Sequence, residues 1–107
     1  MPENTLLVLT TAPDQDTAER LASYLVEQKL AACVNISPPI TSVYRWQEKI
    51  ERDTEHSLMI KTSRARYDAL QTAIQKQHPY ELPEIVAVPL QRGLPAYLEW
   101  IEACTQD

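Results

Sequence analysis

One short stretch, QHPYELPEIVAVPL from Gln77 to Leu90, gathers His78, Tyr80, Glu81 and Glu84. An imidazole and two carboxylates can supply nitrogen and oxygen ligands to a divalent cation. Pro79 and Pro83 stiffen the backbone between them, because proline fixes φ and removes an amide donor. The same residues can equally form a rigid connector whose polar groups satisfy local backbone. On spacing alone the connector fits better, since one histidine falls short of the convergent ligands that a metal centre needs. The apolar run from Ile85 to Leu90 reads as a buried strand, which places the polar cluster at a strand mouth.

Other reactive side chains are scattered. Lys61 follows the apolar Leu58-Met59-Ile60. It can pair with Glu84 or hold an anion; it can also pack its stem and keep its amine in water. Cys33 reads as a small core residue, with a soft thiolate ligand for copper(I) as the alternative. His56 reads as a solvated strand residue, and Cys104 carries no functional argument. Tyr44 and Trp46 are hard to bury in a small chain and are residue types enriched at protein interfaces. There is no H-E-x-x-H, C-x-x-C, EF-hand or G-x-S-x-G pattern. With a single glycine, Gly93, phosphate-cradling loops are absent and turns needing positive φ should be scarce.

Positioning these residues requires a particular order of elements. Thr5 to Thr11 reads as a strand. Asp16 with Glu19 resembles a capping box for an amphipathic helix that runs to about Lys29. A second strand begins near Ala31, has its ladder interrupted by Pro38-Pro39, neither of which can donate, and resumes its pattern through Val43 to Trp46. Gln47-Glu48-Lys49 turns the chain into a long third strand, Ile50 to Thr62. Ser63 can cap a helix with Tyr67, Leu70 and Ile74 on its apolar face, ended by Pro79. Glu84 to Leu90 is a fourth strand. Gly93 and Pro95 open a closing helix with Leu94, Tyr97, Leu98 and Ile101 on one side. The order β-α-β-β-α-β-α is α+β: a ferredoxin-like βαββαβ sandwich with a long hairpin and a C-terminal helix. Right-handed crossovers put both long helices on one face of the sheet.

Composition sets the class. The 107 residues suffice for one domain, 1–107, and 44% are hydrophobic. A formal net charge of −5 argues against a nucleic-acid binder. The N-terminus lacks the pattern of a signal peptide, and no apolar run approaches a membrane span. The expectation is a cytoplasmic chain with no membrane partner and both cysteines reduced.

Four blocks then resemble the CutA family, small proteins named for divalent-cation tolerance. They are LVLTTAPD (Leu6 to Asp14), KLAACVNI (Lys29 to Ile36), SVYRWQEKI (Ser42 to Ile50) and HPYELPEIVAVPL (His78 to Leu90). LMIKT (Leu58 to Thr62) and YLEWI (Tyr97 to Ile101) also fit. The resemblance implies a homotrimer like those of PII signalling proteins, with hairpins reaching to neighbours and Tyr44 and Trp46 in the interface. It implies inter-subunit clefts near Lys61, Tyr80, Glu84 and Trp46, no catalytic activity, and a role in tolerance of copper or another divalent cation. The family's copper pattern has a cysteine at Thr10 and a second histidine at Gln77, so only His78 matches it. His78, Glu81 and Glu84 remain the candidate metal contacts. The alternative is a PII-like binding module whose cleft holds a small anion or metabolite through Lys61.

Overall fold

The computed structural model describes residues 4–106. Eight elements follow in order: β1 (Thr5–Ala12), α1 (Gln15–Glu27), β2 (Cys33–Trp46), β3 (Lys49–Ser63), a 3₁₀ turn (Arg64–Arg66), α2 (Tyr67–Gln77), β4 (Val86–Pro89) and α3 (Pro95–Cys104). The strands form one sheet in the order β2-β3-β1-β4, and every pairing is antiparallel. This is the α+β, ferredoxin-like order expected from the sequence.

Strand alternation sorts the side chains onto two faces. Leu6, Val8, Thr10 and Ala12 of β1 stand opposite Thr62, Ile60, Leu58 and His56 of β3. This face packs on Ala18, Leu21 and Leu25 of α1 and on Leu70 and Ile74 of α2, and forms the core. The other face is covered only in part. Its Met59, Val86 and Val88 remain 40%, 51% and 49% exposed. The run from Ile85 to Leu90 is therefore not the buried strand expected from its composition. β4 is an edge strand with β1 as its one neighbour, so Val86 to Pro89 are all exposed.

Several local expectations are corrected by capping and bulge chemistry. Asp14, not Asp16, caps α1: its carboxylate accepts from the Thr17 amide at 2.8 Å. Ser63 makes no cap; its hydroxyl accepts from Thr105 Oγ1 at 2.9 Å and ties α3 to the end of β3. Pro38-Pro39 interrupt the β2 ladder as expected, and the interruption takes the form of a register shift between Ile36 and Pro39 within a continuous strand. His56 secures that irregularity. Its Nδ1 donates to the Ser37 carbonyl at 2.9 Å, while the Ser57 amide donates to Ser37 Oγ at 2.8 Å. His56 is therefore buried rather than solvated. Cys33 is half-buried instead of sitting in the core, and both cysteines are free.

Among the described residues, positive φ occurs at three non-glycine positions, Lys29, Gln47 and Glu48. Lys29 closes α1 in a Schellman arrangement, with Leu30 N–H on the Leu25 carbonyl at 2.9 Å and Lys29 N–H on the Val26 carbonyl at 3.1 Å. Gln47-Glu48 form the two-residue hairpin loop between the paired Trp46 and Lys49. Two positive φ values there match the right-handed twist of the strands. The scarcity of glycine did not remove these turns; ordinary side chains occupy them.

One buried polar atom has no partner among the described residues: Thr10 Oγ1, in a side chain with no exposure. An unpaired buried hydroxyl costs stability, whereas valine fills the same space without it. Thr10→Val should therefore stabilise the protein by about 1–2 kcal/mol. Urea unfolding at fixed protein concentration measures this, and an unchanged or lowered midpoint contradicts it.

Candidate functional site

β2 and β3 are much longer than β1 and β4, so the hairpin projects beyond the body as a two-stranded arm. Along one side of the arm, from Glu55 to the hairpin loop, the arm and the connector 79–86 border an open cleft of about 1070 Å³. Tyr44, Trp46, Glu55, Tyr80, Glu81 and Glu84 contribute to its walls. Three of the four residues associated with a cleft by resemblance are thus together. Lys61 is elsewhere: it lies six positions beyond Glu55 on β3, about 20 Å along a strand, and its Nζ donates to Asn35 Oδ1.

Glu55 is the centre of the site, and the sequence reading did not single it out. It is only 7% exposed. Its Oε2 accepts from Thr11 Oγ1 at 3.0 Å and from the Tyr80 hydroxyl at 2.9 Å. A sequence signal existed, since Glu51, Asp53 and Glu55 alternate along one face of β3. What it lacked was the connector that folds over that face and delivers Tyr80.

His78 delivers it. Pro79 prevents α2 from continuing, and His78 adopts an extended conformation as the helix cap. The His78 ring is 8% exposed. Nε2 donates to the Thr11 carbonyl at 2.6 Å, and Nδ1 accepts from the Tyr80 amide at 3.1 Å. The His78 and Tyr80 rings lie 4.7 Å apart. Thr11, Glu55, Tyr80 and His78 therefore close a ring of contacts joining β1, β3 and the connector. With both nitrogens engaged, the imidazole has no lone pair to offer a metal ion in this conformation. Among the described residues, no three His, Cys, Asp or Glu side chains are grouped as a cation site.

The tyrosine hydroxyls act as donors. Tyr44 donates to Asp53, and this bond, with burial and the surrounding carboxylates, pushes its pKa up to about 12. Burial, then the bond to Glu55, raises Tyr80 above the ordinary phenol value. A raised folded-state pKa means that this part of the stability is complete below about pH 10, the unfolded value, and is lost as pH rises beyond it. Urea midpoints should fall more steeply above about pH 10 in wild type than in Tyr80→Phe. Equal slopes would refute the coupling.

Comparison with known proteins places this geometry. The family model described as CutA1 divalent ion tolerance protein matches residues 6–104. Protein CutA of Mus musculus is 41% identical over 107 residues, all of this chain and 60% of its own length. The chain thus spans about three-fifths of that relative. The divalent-cation tolerance protein CutA of Thermus thermophilus is 43% identical over 99 residues, 92% of this chain and 96% of its own. The crystal structure of CutA1 from a psychrotrophic Shewanella superposes with a TM-score of 0.95 at 39% identity, covering 100% of both chains.

Proposed function

The chain belongs to the CutA1 divalent ion tolerance protein family, and from that premise we propose that it works as a homotrimeric, non-enzymatic protein of divalent-cation tolerance. The projecting hairpin arm carries the oligomeric part of the reading. An isolated two-stranded ribbon is marginal in water, yet this one exposes Val43, Tyr44, Trp46 and Ile50 along its length. A neighbouring copy supplies the missing support. The apolar sheet face of Met59, Val86 and Val88 is a second surface that such a copy would cover.

In the trimer the cleft becomes inter-subunit, with Trp46, Tyr80 and Glu84 from one copy and Lys61 entering from another. Glu81 and Glu84 are exposed carboxylates at the cleft and are the oxygen donors open to a divalent cation. His78 holds the connector in place and would join them only by giving up its two hydrogen bonds. Among the described residues no nucleophile, base and orienter converge in the cleft, which supports a binding role over a catalytic one. We place the protein in the cytoplasm, where a reducing environment keeps Cys33 and Cys104 unpaired. No helix among the described residues is long and apolar enough to cross a membrane.

Light scattering tests the trimer, and a monomer at micromolar concentration would reject it. Calorimetric titration with copper(II) and manganese(II) tests the cation. Binding that Glu84→Gln weakens supports the assignment, whereas equal binding by wild type and Glu81→Gln/Glu84→Gln removes it.

A further inference from the structure

The arm meets the body at His56. Its pairing with Ala12 is the last between β1 and β3, and its pairing with Pro39 is the first of the arm. Outward from there, among the described residues, no third strand steadies the ribbon. At the same point the ladder is short of backbone donors, since Pro38 and Pro39 have no N–H. Ser37 and Pro38 of β2 stand against Ser57 alone on β3, which makes a bulge. Side-chain bonds centred on Ser37 hold it. His56 Nδ1 donates to the Ser37 carbonyl at 2.9 Å, and the Ser57 amide donates to Ser37 Oγ at 2.8 Å. That hydroxyl donates in turn to the Pro38 carbonyl at 2.7 Å. The His56 ring is buried on the core-facing side, so little water competes for its bond.

We propose that the Ser37–His56 contact is a clamp that sets the direction in which the arm leaves the body, and so shapes it in advance for a neighbouring copy. The proposal rests on the homotrimer reading above and names the residue that prepares the arm for it. A bulge bends its strand and adds twist, so whatever fixes the bulge fixes the arm's direction. Residues 40–46 extend about 23 Å beyond the bulge. At that radius a change of about 20° in the bend carries the tip about 8 Å. Interfaces packed to the density of a protein interior do not absorb such a displacement. A segment already held in its bound direction gives up less freedom on association. His56 is a positioning residue here: buried within its own chain, it offers a neighbour little surface and acts through the bulge.

Three variants separate the bond from the bulk of the ring. His56→Leu fills the space but cannot donate. His56→Asn places an amide N–H where Nδ1 stands. Ser37→Ala removes the hydroxyl that receives Ser57, and it tests the same clamp should His56→Leu fail to fold. Exchange of isotope-labelled with unlabelled subunits, followed by native mass spectrometry, reads the assembly. Spin labels on Glu19→Cys in α1 and Lys49→Cys at the arm tip read the direction of the arm. They are placed in a Cys33→Ser/Cys104→Ser chain diluted into excess unlabelled protein. His56→Leu and Ser37→Ala should broaden the label distance and speed exchange about tenfold, since changes at an interface act chiefly on dissociation. His56→Asn should match wild type in both. Hydrogen exchange at Val8 and Ile60 should stay unchanged in all three, which distinguishes a swinging arm from a loosened core. Label distances left as narrow as in wild type, unchanged subunit exchange, or a defect in His56→Asn equal to that in His56→Leu overturns the proposal. Light scattering separates it from the trimer reading. A monomeric wild type defeats the trimer alone, with the label distances still deciding the clamp, and a trimer whose distances do not move defeats the clamp alone.

Discussion

His78→Ala is expected to destabilise the protein by about 3 kcal/mol, among the largest effects of any single substitution near the cleft. The ring is buried and both nitrogens are used. Its removal leaves the Thr11 carbonyl and the Tyr80 amide without partners, and each unsatisfied buried group costs about 1–3 kcal/mol. The tilted ring contact with Tyr80 is lost as well. The expected sequel is local: with its amide released, Tyr80 no longer holds its hydroxyl on Glu55, and the connector moves away from β3. Urea unfolding at fixed protein concentration measures the first effect, and the chemical shift of the Tyr80 ring reports the second. A cost below about 1 kcal/mol, with Tyr80 unmoved, would mean that the imidazole is not the clamp and is free to serve as a ligand.

The sequence carried most of the fold because its punctuation is local. Strand alternation in Leu6 to Ala12, the helical period of Leu21 and Leu25, and Pro79 after α2 each act over a few residues. The resulting order of elements permits few topologies. Expectations failed where a distant partner decided the outcome. His56 looked solvated because nothing nearby in sequence announces that it will donate to Ser37 across a bulge. Ile85 to Leu90 looked buried because composition does not distinguish a central strand from an edge strand awaiting a neighbour. The site follows the same rule. Tyr80, Glu84 and Trp46 could be named through resemblance, yet the residue that organises them, Glu55, acts through contacts with Thr11 and Tyr80 that are 44 and 25 positions away. Lys61 was grouped with them by resemblance, although within one chain it lies far along β3 and its amine donates to Asn35.

Val88→Asp should convert the proposed trimer to monomer at micromolar concentration. Val88, on the edge strand β4, stands opposite Leu7 on the uncovered sheet face, and it is 49% exposed in the single chain. An aspartate there stays in water in a monomer, so the cost to the isolated fold is small. In the trimer the same carboxylate is buried without a partner, at a cost of several kcal/mol per interface, repeated around the ring of subunits. Gln75→Asp, on the exposed side of α2, is the charge-matched control and should leave the assembly intact. Light scattering separates the two variants. Hydrogen exchange then tests why the arm needs a neighbour: in the Val88→Asp monomer, amides from Val43 to Ile50 should exchange far faster than those of Val8 and Ile60. Only the latter residues lie in the part of the sheet covered by α1 and α2, and local opening follows the loss of packing. A trimer that survives Val88→Asp would place the interface on another face. A monomer whose arm keeps its protection would show that the ribbon stands without a partner, and would remove the argument on which the assembly rests.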